Sequence, residues 1–441
     1  MLRSFRLGNH RSFLTEQELL LMPSRDKTRY VLPVTAVYGA NASGKSNLLS
    51  GLEFMQSAVT SSFQRWDALE GVPRVPFRLA PDAAGAPSVF VVEFKTDDVA
   101  YTYGFALDDE RVLEEWLYSY PEKRKRVVFE RAGGEVKFGS TLRDSKAELG
   151  VLGQMTRSNA LLLSVAVQLN LEFAMPAYSF ISRDLVFSQS EGLSRLGNEA
   201  LGRFVARDPG NRSRVVDLLR AADLGITDLL VEECEDPRWS RYLERTEAEW
   251  KRVARSEEAG DVDEEYRNVV RSRLDDLRRA GPRKVYRLKT VHGDLGAPFD
   301  ISDESHGTRS WLRLIPIALS ALDRGSVLLV DEIDSSLHPL LTARLVGLFR
   351  DERTNPNGAQ LIFTTHDTSL LGTMLGDEVL KRDEVWFVSK EERGDTSLYA
   401  LSDFKPRQGE NAERRYLRGS YGAVPFVDHD EFVMAVRGER D

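Results

Sequence analysis

A single cysteine, Cys234, occurs among the 441 residues, which excludes an intramolecular disulfide and any zinc site assembled from the cysteines of one chain. Long apolar runs are missing too. The longest, such as Ala160 to Val167, fall far short of the roughly 20 residues that a helix needs to cross a bilayer. The N-terminal MLRSFRLGNHRSF carries charge where a secretory signal needs its apolar stretch, so a cytoplasmic location with no membrane partner is expected. Positive charge is also in deficit. Lys and Arg number 60 against 69 Asp and Glu, a net charge of −9, which argues against broad, non-specific nucleic-acid binding while leaving room for a local basic patch. What is present, 41% hydrophobic and 29% charged residues, describes an ordinary globular chain with length for two or three structural units.

The organising stretch is Val34 to Leu48, VTAVYGANASGKSNL. Its β-branched and aromatic residues Val34, Thr35, Val37 and Tyr38 read as a buried strand that stops at Gly39. Gly39, Gly44, Lys45 and Ser46 then fit G-x-x-x-x-G-K-[ST], and Asn47 to Met55 continue as a helix. Glycines let such a loop fold back so that its backbone N–H groups converge on phosphates at the positive end of the helix. Asn41, Gly44 and Asn47 belong to this cradle. Lys45 would reach the β- and γ-phosphates, and the Ser46 hydroxyl would hold Mg2+, so ATP and Mg2+ are the expected cofactors.

Before this loop, Leu2 to Leu7 alternates apolar and basic residues, and Gln17 to Met22 follows the turn-like Asn9-His10-Arg11-Ser12-Phe13. Two strands beside the phosphate strand are expected, with Arg11 and Ser12 near a nucleotide; a solvated loop with a surface arginine fits the spacing equally. After the helix Asn47 to Phe63 and a Pro/Gly/Ala-rich stretch, Val89 to Phe94 and Ala100 to Leu107 alternate as a hairpin turning at Thr96-Asp97-Asp98. Arg111 to Tyr120 and Arg126 to Glu130 continue the meander around a basic, solvated tip at Pro121 to Lys125. Ser145 to Ala174 turns helical, and a helix at Arg214 to Ala222 precedes a strand at Ile226 to Val231. From Trp239 to Ala280 the charge is dense. Apolar residues repeat there at spacings of three and four on both sides of a break at Glu257 to Asp261, which reads as a short helical hairpin zipped by a narrow seam. Four segments follow: an N-terminal lobe (1–144), a helical and mixed lobe (145–238), the arm (239–280) and a C-terminal lobe (281–441).

Ser326 to Glu332, SVLLVDE, is an apolar run ending in two carboxylates, the pattern of a buried parallel strand whose C-terminal end faces a ligand crevice. Asp331 would bind the Mg2+ held by Ser46, leaving Glu332 to position or deprotonate a water. Upstream, Ser305-His306-Gly307 opens an amphipathic helix from Trp311 to Leu322 and offers a second anion-binding device. Downstream, Gln360 to Thr365 is another buried strand, running into His366, whose imidazole would reach a γ-phosphate or the attacking water.

In order, these elements resemble ABC-type P-loop ATPases, in the branch holding the SMC and DNA-repair ATPases and the overcoming-lysogenization-defect (OLD) nucleases. NHRSF, YGANASGKSNLL, ESHGTRS, DEIDSSLHPLL, QLIFTTHDTSLL and RYLRGSYGAVPF are similar to the compact ATPases of bacterial anti-phage and restriction-associated loci. The resemblance implies an α/β fold: an ABC-type ATPase head, with a mixed, mainly parallel sheet flanked by helices, an antiparallel meander and a short helical arm. It also implies a homodimer closed head to tail around ATP, in which Ser305 and Gly307 of one subunit meet the γ-phosphate bound by Lys45 of the other. Family roles fall on Asp331 for Mg2+, Glu332 as catalytic carboxylate, Ser335 and Ser336 as the D-loop, and His366 as the switch histidine. Arg11 and Ser12 match the N-terminal nucleotide-contacting motif. No Q-loop glutamine is assigned, and ESHGT in place of the transporter LSGGQ speaks against transport.

The expected function is an ATPase acting as sensor or motor of an anti-phage, abortive-infection-like system, triggered by DNA or a phage protein. Only about 75 residues follow His366, without a nuclease-type carboxylate cluster, so a separate Toprim-like nuclease or toxin is the expected effector. A DNA-binding repair or SMC-like clamp is the alternative, and the short arm counts against it. A slow nucleotide-binding scaffold is the third reading.

Overall fold

The computed structural model describes residues 1–24, 29–142, 144–188, 191–256, 264–282, 284–293, 296–335, 337–375, 378–404, 411–425 and 428–438. The expected break at Glu257 to Asp261 and the D-loop residue Ser336 lie outside these. In chain order the elements are β1 (Leu2–Gly8), β2 (Gln17–Leu20), β3 (Val34–Gly39), α1 (Lys45–Arg65), β4 (Ser88–Thr96), β5 (Val99–Leu107), β6 (Val112–Tyr120), β7 (Arg126–Ala132) and β8 (Glu135–Phe138). Then come α2 (Lys146–Met155), α3 (Leu162–Gln168), α4 (Met175–Ser179), β9 (Leu185–Phe187), α5 (Glu191–Arg207), α6 (Pro209–Ala221), β10 (Ile226–Glu235), α7 (Pro237–Ser256) and α8 (Glu264–Ala280). The chain continues with β11 (Lys284–His292), β12 (Ala297–Asp300), α9 (His306–Arg324), β13 (Val327–Val330), α10 (Pro339–Arg350), β14 (Gln360–Thr365), β15 (Val385–Lys390), β16 (Thr396–Ala400), α11 (Ala412–Leu417) and α12 (His429–Arg437). Two compact units result, one of Met1–Gln189 with Ile317–Asp441, the other Ser190–Pro316.

The first unit is α/β, built on a six-stranded sheet of order β16-β15-β3-β14-β13-β9. All its pairs are parallel except β15 with β16. Every residue of β3, β13 and β14 is buried, which is why these strands read as unbroken apolar runs rather than alternating ones. The strand leading to His366 lies between the phosphate strand and the one leading to Asp331. Register fixes their ends. Val330 pairs with Phe363 and Thr365 with Tyr38, so Gly39, Asp331 and His366 leave the sheet along one edge.

A second, antiparallel sheet has the order β2-β1-β4-β5-β6-β7-β8. Its β4–β5 hairpin turns at Asp97 and Asp98, both left-handed (φ 47° and 62°), as the two-residue turn that suits strand twist demands. Here the structure corrects the sequence reading: β1 and β2 pair with each other, but β1 lies beside β4 and not beside the phosphate strand. Both edges of β3 are taken, by β14 and β15. Between the two sheets packs α1, which buries Leu48, Leu52, Met55 and Val59 and approaches β1 so closely that a Cβ on Gly51 would lie 2.8 Å from Leu7; Gln360 of β14 also bonds the Leu2 N–H and carbonyl of β1 directly.

The helical stretch expected from Ser145 to Ala174 is broken between α2 and α3. Buried Glu115 supplies the reason, because its carboxylate accepts from the Leu162 and Leu163 N–H groups at 2.5 and 2.9 Å and so starts a new helix there. Asn159 fixes the break, donating to the carbonyls of Asp67 and Glu70.

The second unit holds a three-stranded antiparallel sheet, β10-β11-β12, with α5 and α6 packed on it. Between β10 and β11 the arm rises as α7 and α8, an antiparallel pair whose seam buries Val253, Val270 and Leu274. Tyr266 donates to Glu249 at 2.6 Å and Arg278 pairs with Glu247 at 2.9 Å along its flanks. No helix among the described residues is long and apolar enough to cross a membrane.

Candidate nucleotide site

The loop from β3 to α1 is held open by two close approaches. A Cβ on Gly39 would lie 2.5 Å from the Val388 carbonyl oxygen of β15, so only glycine lets the neighbouring strand pass. Gly44 has φ 114°, and a Cβ there would meet Thr396 Oγ1 at 2.4 Å and Ser12 Oγ at 2.8 Å. Ala42 is left-handed as well (φ 61°), giving the alternating backbone that turns successive N–H groups inward. α1 begins at Gly44 with no side-chain cap and no acid in its first turn, so the positive end of a 21-residue helix stands open to an anion. The Ser43 hydroxyl, buried in the same loop, has no hydrogen-bond partner among the described residues.

Lys45 is buried, and its ammonium donates to the Gly39 and Ala40 carbonyls at 2.9 and 3.0 Å, folded back on the loop. Burial lowers its pKa, and Glu332, Asp331 and Asp334 oppose that shift. Ser46 and Asn41 are exposed, Ser46 in the first turn of α1.

Ser12 meets this loop from the β1–β2 connection. Its hydroxyl accepts from the Asn47 amide at 2.8 Å and lies in hydrogen-bond contact with Thr396 Oγ1 at 2.8 Å, and Thr396 donates to the Ser43 carbonyl at 2.8 Å. The Thr396 N–H returns to the Ser12 carbonyl. Arg11 is exposed and left-handed (φ 51°), held by a bond from its N–H to Val75 O.

At the end of β13 Asp331 is half-buried and Glu332 exposed. Thr364 of β14 donates to Asp331 Oδ1 at 2.5 Å and accepts from the Glu332 N–H at 2.7 Å. Asp334 receives the His366 N–H at 3.1 Å, and the exposed Ser335 donates its N–H to the Glu332 carbonyl at 2.9 Å. The His366 pKa falls below 6.5 because of burial and then Lys45, with Asp334, Glu332 and Asp331 working against them. The structure therefore gathers Lys45, Asp331, Glu332, Asp334 and His366 on one edge of the sheet.

Behind His366, Tyr38 donates to the Asp367 carbonyl at 3.0 Å and meets Tyr416 edge-on. Phe387 stacks on Tyr416 and Tyr421, and Arg415 lies over the Tyr421 ring. Tyr416 and Tyr421 of the motif RYLRGSYGAVPF thus form an aromatic support behind the residues that follow β14. In the second unit, the Ser305 hydroxyl accepts from the Thr308 N–H at 3.1 Å as α9 begins, with Gly307 in its first turn. Glu304 beside it is bonded to Thr290 and His292 of β11.

Asp334, Thr364 and Thr396 escaped the sequence reading. Asp334 was visible as the third carboxylate of DEID, and Thr364 as a hydroxyl at a buried strand end. Nothing local distinguished Thr396.

The family described as "AAA domain, putative AbiEii toxin, Type IV TA system" matches residues 34–372, a span that includes Gly39 to Ser46, Asp331 and His366. Among solved structures, the chain is similar to an Smc head bound to the C-terminal winged-helix domain of ScpA, with 12% identity and a TM-score of 0.46, covering 90% of this chain and 97% of that one. It is also similar to an Smc head with an extended coiled coil bound to the C-terminal domain of ScpA, derived from Pyrococcus furiosus. That likeness has 13% identity and a TM-score of 0.39, and covers 91% of this chain and 97% of the other. No curated protein matches.

Proposed function

The chain belongs to the AAA-domain family of the AbiEii, Type IV toxin–antitoxin description, and from that premise we propose that it is a Mg2+-dependent ABC-type ATPase. The observation that carries this reading is a buried lysine at an uncapped helix N-terminus, beside the sheet edge where Asp331 and His366 follow β13 and β14. Asn41, Gly44, Lys45, Ser46 and Asn47 would hold the phosphates, with Arg11 and Ser12 alongside. The Ser46 hydroxyl and the Asp331 carboxylate are the hard oxygen donors that Mg2+ favours. Bound Mg2+ supplies charge neutralisation on the transferred phosphoryl group. Glu332, exposed one residue beyond Asp331, orients and deprotonates water, and neutral His366 hydrogen-bonds to the reacting group.

The working form is a homodimer closed head to tail, in which Ser305 and Gly307 of the partner subunit complete the site, assisted by Ser335. Its biological setting is anti-phage defence of the abortive-infection kind, as sensor or motor for a separate effector, a Toprim-like nuclease or a toxin. DNA or a phage protein is the trigger.

The test is mass photometry and ATP turnover of the wild type and Glu332→Gln, with and without ATP, Mg2+ and duplex DNA. The mutant is expected to accumulate as an ATP-dependent dimer or larger species with turnover reduced about 100-fold or more. An unchanged turnover would remove Glu332 from the mechanism. Retention of duplex DNA by the ATP-bound mutant, rather than stimulation of turnover alone, would favour a clamp over a defence sensor.

A further inference from the structure

Thr364 is wholly buried at the C-terminal end of β14, yet its hydroxyl serves two groups on the neighbouring strand end. A hydroxyl carries one proton and two lone pairs. The Glu332 N–H can only donate, at 2.7 Å, so the hydroxyl proton goes to Asp331 Oδ1 at 2.5 Å. The same residue's carbonyl accepts from the Ile333 N–H at 3.1 Å. Three consecutive residues after β13 are therefore fixed from one point on β14.

Glu332 is the residue that needs such fixing. It is left-handed (φ 48°), a conformation that a non-glycine residue keeps only when its surroundings impose it. With the N–H of Glu332 bound to Thr364, the peptide between Asp331 and Glu332 cannot rotate without breaking that bond. Thr365 next along is no substitute, because its hydroxyl accepts from the Asp367 N–H at 3.0 Å. Threonine also suits the task better than serine, since its β-branch restricts χ1 on a strand.

Resting on the ATPase reading above, we propose that Thr364 is a positioning residue for both carboxylates. Its hydroxyl orients the Asp331 oxygens toward Mg2+ and, through the backbone, sets where the Glu332 carboxylate stands. The role is separate from packing: valine has the same shape and lacks only the hydrogen bonds.

The experiment compares wild type, Thr364→Val and Thr364→Ser in three measurements: nucleotide affinity without Mg2+, the Mg2+ concentration giving half-maximal tightening of ATP binding, and kcat. Thr364→Val is expected to leave Mg2+-free affinity within about twofold while raising the Mg2+ requirement and lowering kcat by about 10- to 100-fold each. Thr364→Ser is expected to recover most of both. Wild-type Mg2+ dependence and kcat in the valine variant would overturn the proposal, as would a loss that serine does not restore, or an equal fall in Mg2+-free affinity. A thermal melt of each variant separates misfolding from mispositioning, and the serine variant keeps the question open to decision if valine does not fold. Should the wild type bind ATP without turning it over, the ATPase reading fails, while the Mg2+-dependent step in affinity still decides the role of Thr364.

Discussion

The Asn47 side-chain amide donates to the Ser12 hydroxyl at 2.8 Å, joining the first turn of α1 to a loop of the other sheet. From Ser12 the chain of bonds passes through Thr396 to the Ser43 carbonyl, so the β3–α1 loop is braced by two segments far from it and from each other in sequence.

Thr396→Val keeps the volume and removes both roles of that hydroxyl, leaving the Ser43 carbonyl and the Ser12 hydroxyl without their partner. A loss of about 1–3 kcal/mol in urea denaturation is expected, because unsatisfied buried groups bear their full desolvation cost. ATP affinity should fall with it. If denaturation and affinity both match the wild type, the brace is not structural.

Gly44→Ala tests the loop from the inside. At φ 114°, with Thr396 Oγ1 2.4 Å from the added Cβ, strain of about 1–3 kcal/mol from the backbone alone is expected, with the contact added to it. The fold should survive and nucleotide binding should not. Calorimetric titration with ATP, beside a thermal melt, decides between this and a tolerant loop.

A pH dependence follows from His10, whose pKa is lowered to about 4 by burial and then by Arg11. The ring lies between Phe54 and Phe90, with Nε2 3.0 Å from Ser50 Oγ. The folded state therefore binds this proton less readily than the unfolded chain, whose histidine titrates near 6.5. Its contribution to stability is whole above pH 6.5 and is lost as pH falls toward 4, by about 3 kcal/mol in all. Denaturation midpoints at pH 7.5, 6 and 5 should show the loss in the wild type and a smaller one in His10→Gln. Equal losses in both would place the responsible group elsewhere.

How much of this was legible depended on whether a residue's chemistry was local. Gly39 to Ser46, Asp331, Glu332 and His366 were readable because polar and glycine residues closing an apolar run mark the end of a buried strand, where a ligand crevice opens. The helical arm was readable because its seam repeats every three or four residues. The placement of β1 and β2 was misread because alternation reports one buried face without naming the partner strand. Thr396 was invisible for a related reason. Its meaning comes only from Ser12 and Ser43, 384 and 353 positions away. Glu115, a carboxylate in an alternating strand, gave no sign that it would start a helix.

The buried pair of Glu115 and Arg131 is also where a single change should cost most. The carboxylate is wholly buried, bonded to two N–H groups of α3 and to the Tyr103 hydroxyl at 3.0 Å, with the Arg131 guanidinium 3.6 Å away. Burial raises its pKa and Arg131 opposes that shift, so the ion pair and the α3 N–H groups together keep the charge tolerable. Arg131 is itself buried and donates to the Ala160 carbonyl at 2.6 Å. Arg131→Met removes the counter-charge and leaves Glu115 with its hydrogen bonds alone, for which a loss of about 3–5 kcal/mol is expected. Glu115→Gln alone leaves an uncompensated guanidinium and one mismatched bond to α3, and should cost less than Arg131→Met because the Ala160 carbonyl still receives the arginine. The double variant should lose clearly less than the sum of the two, since neither charge then remains unpaired. A double-mutant cycle in urea measures the coupling, and simple additivity would mean that the pair contributes nothing beyond its separate hydrogen bonds.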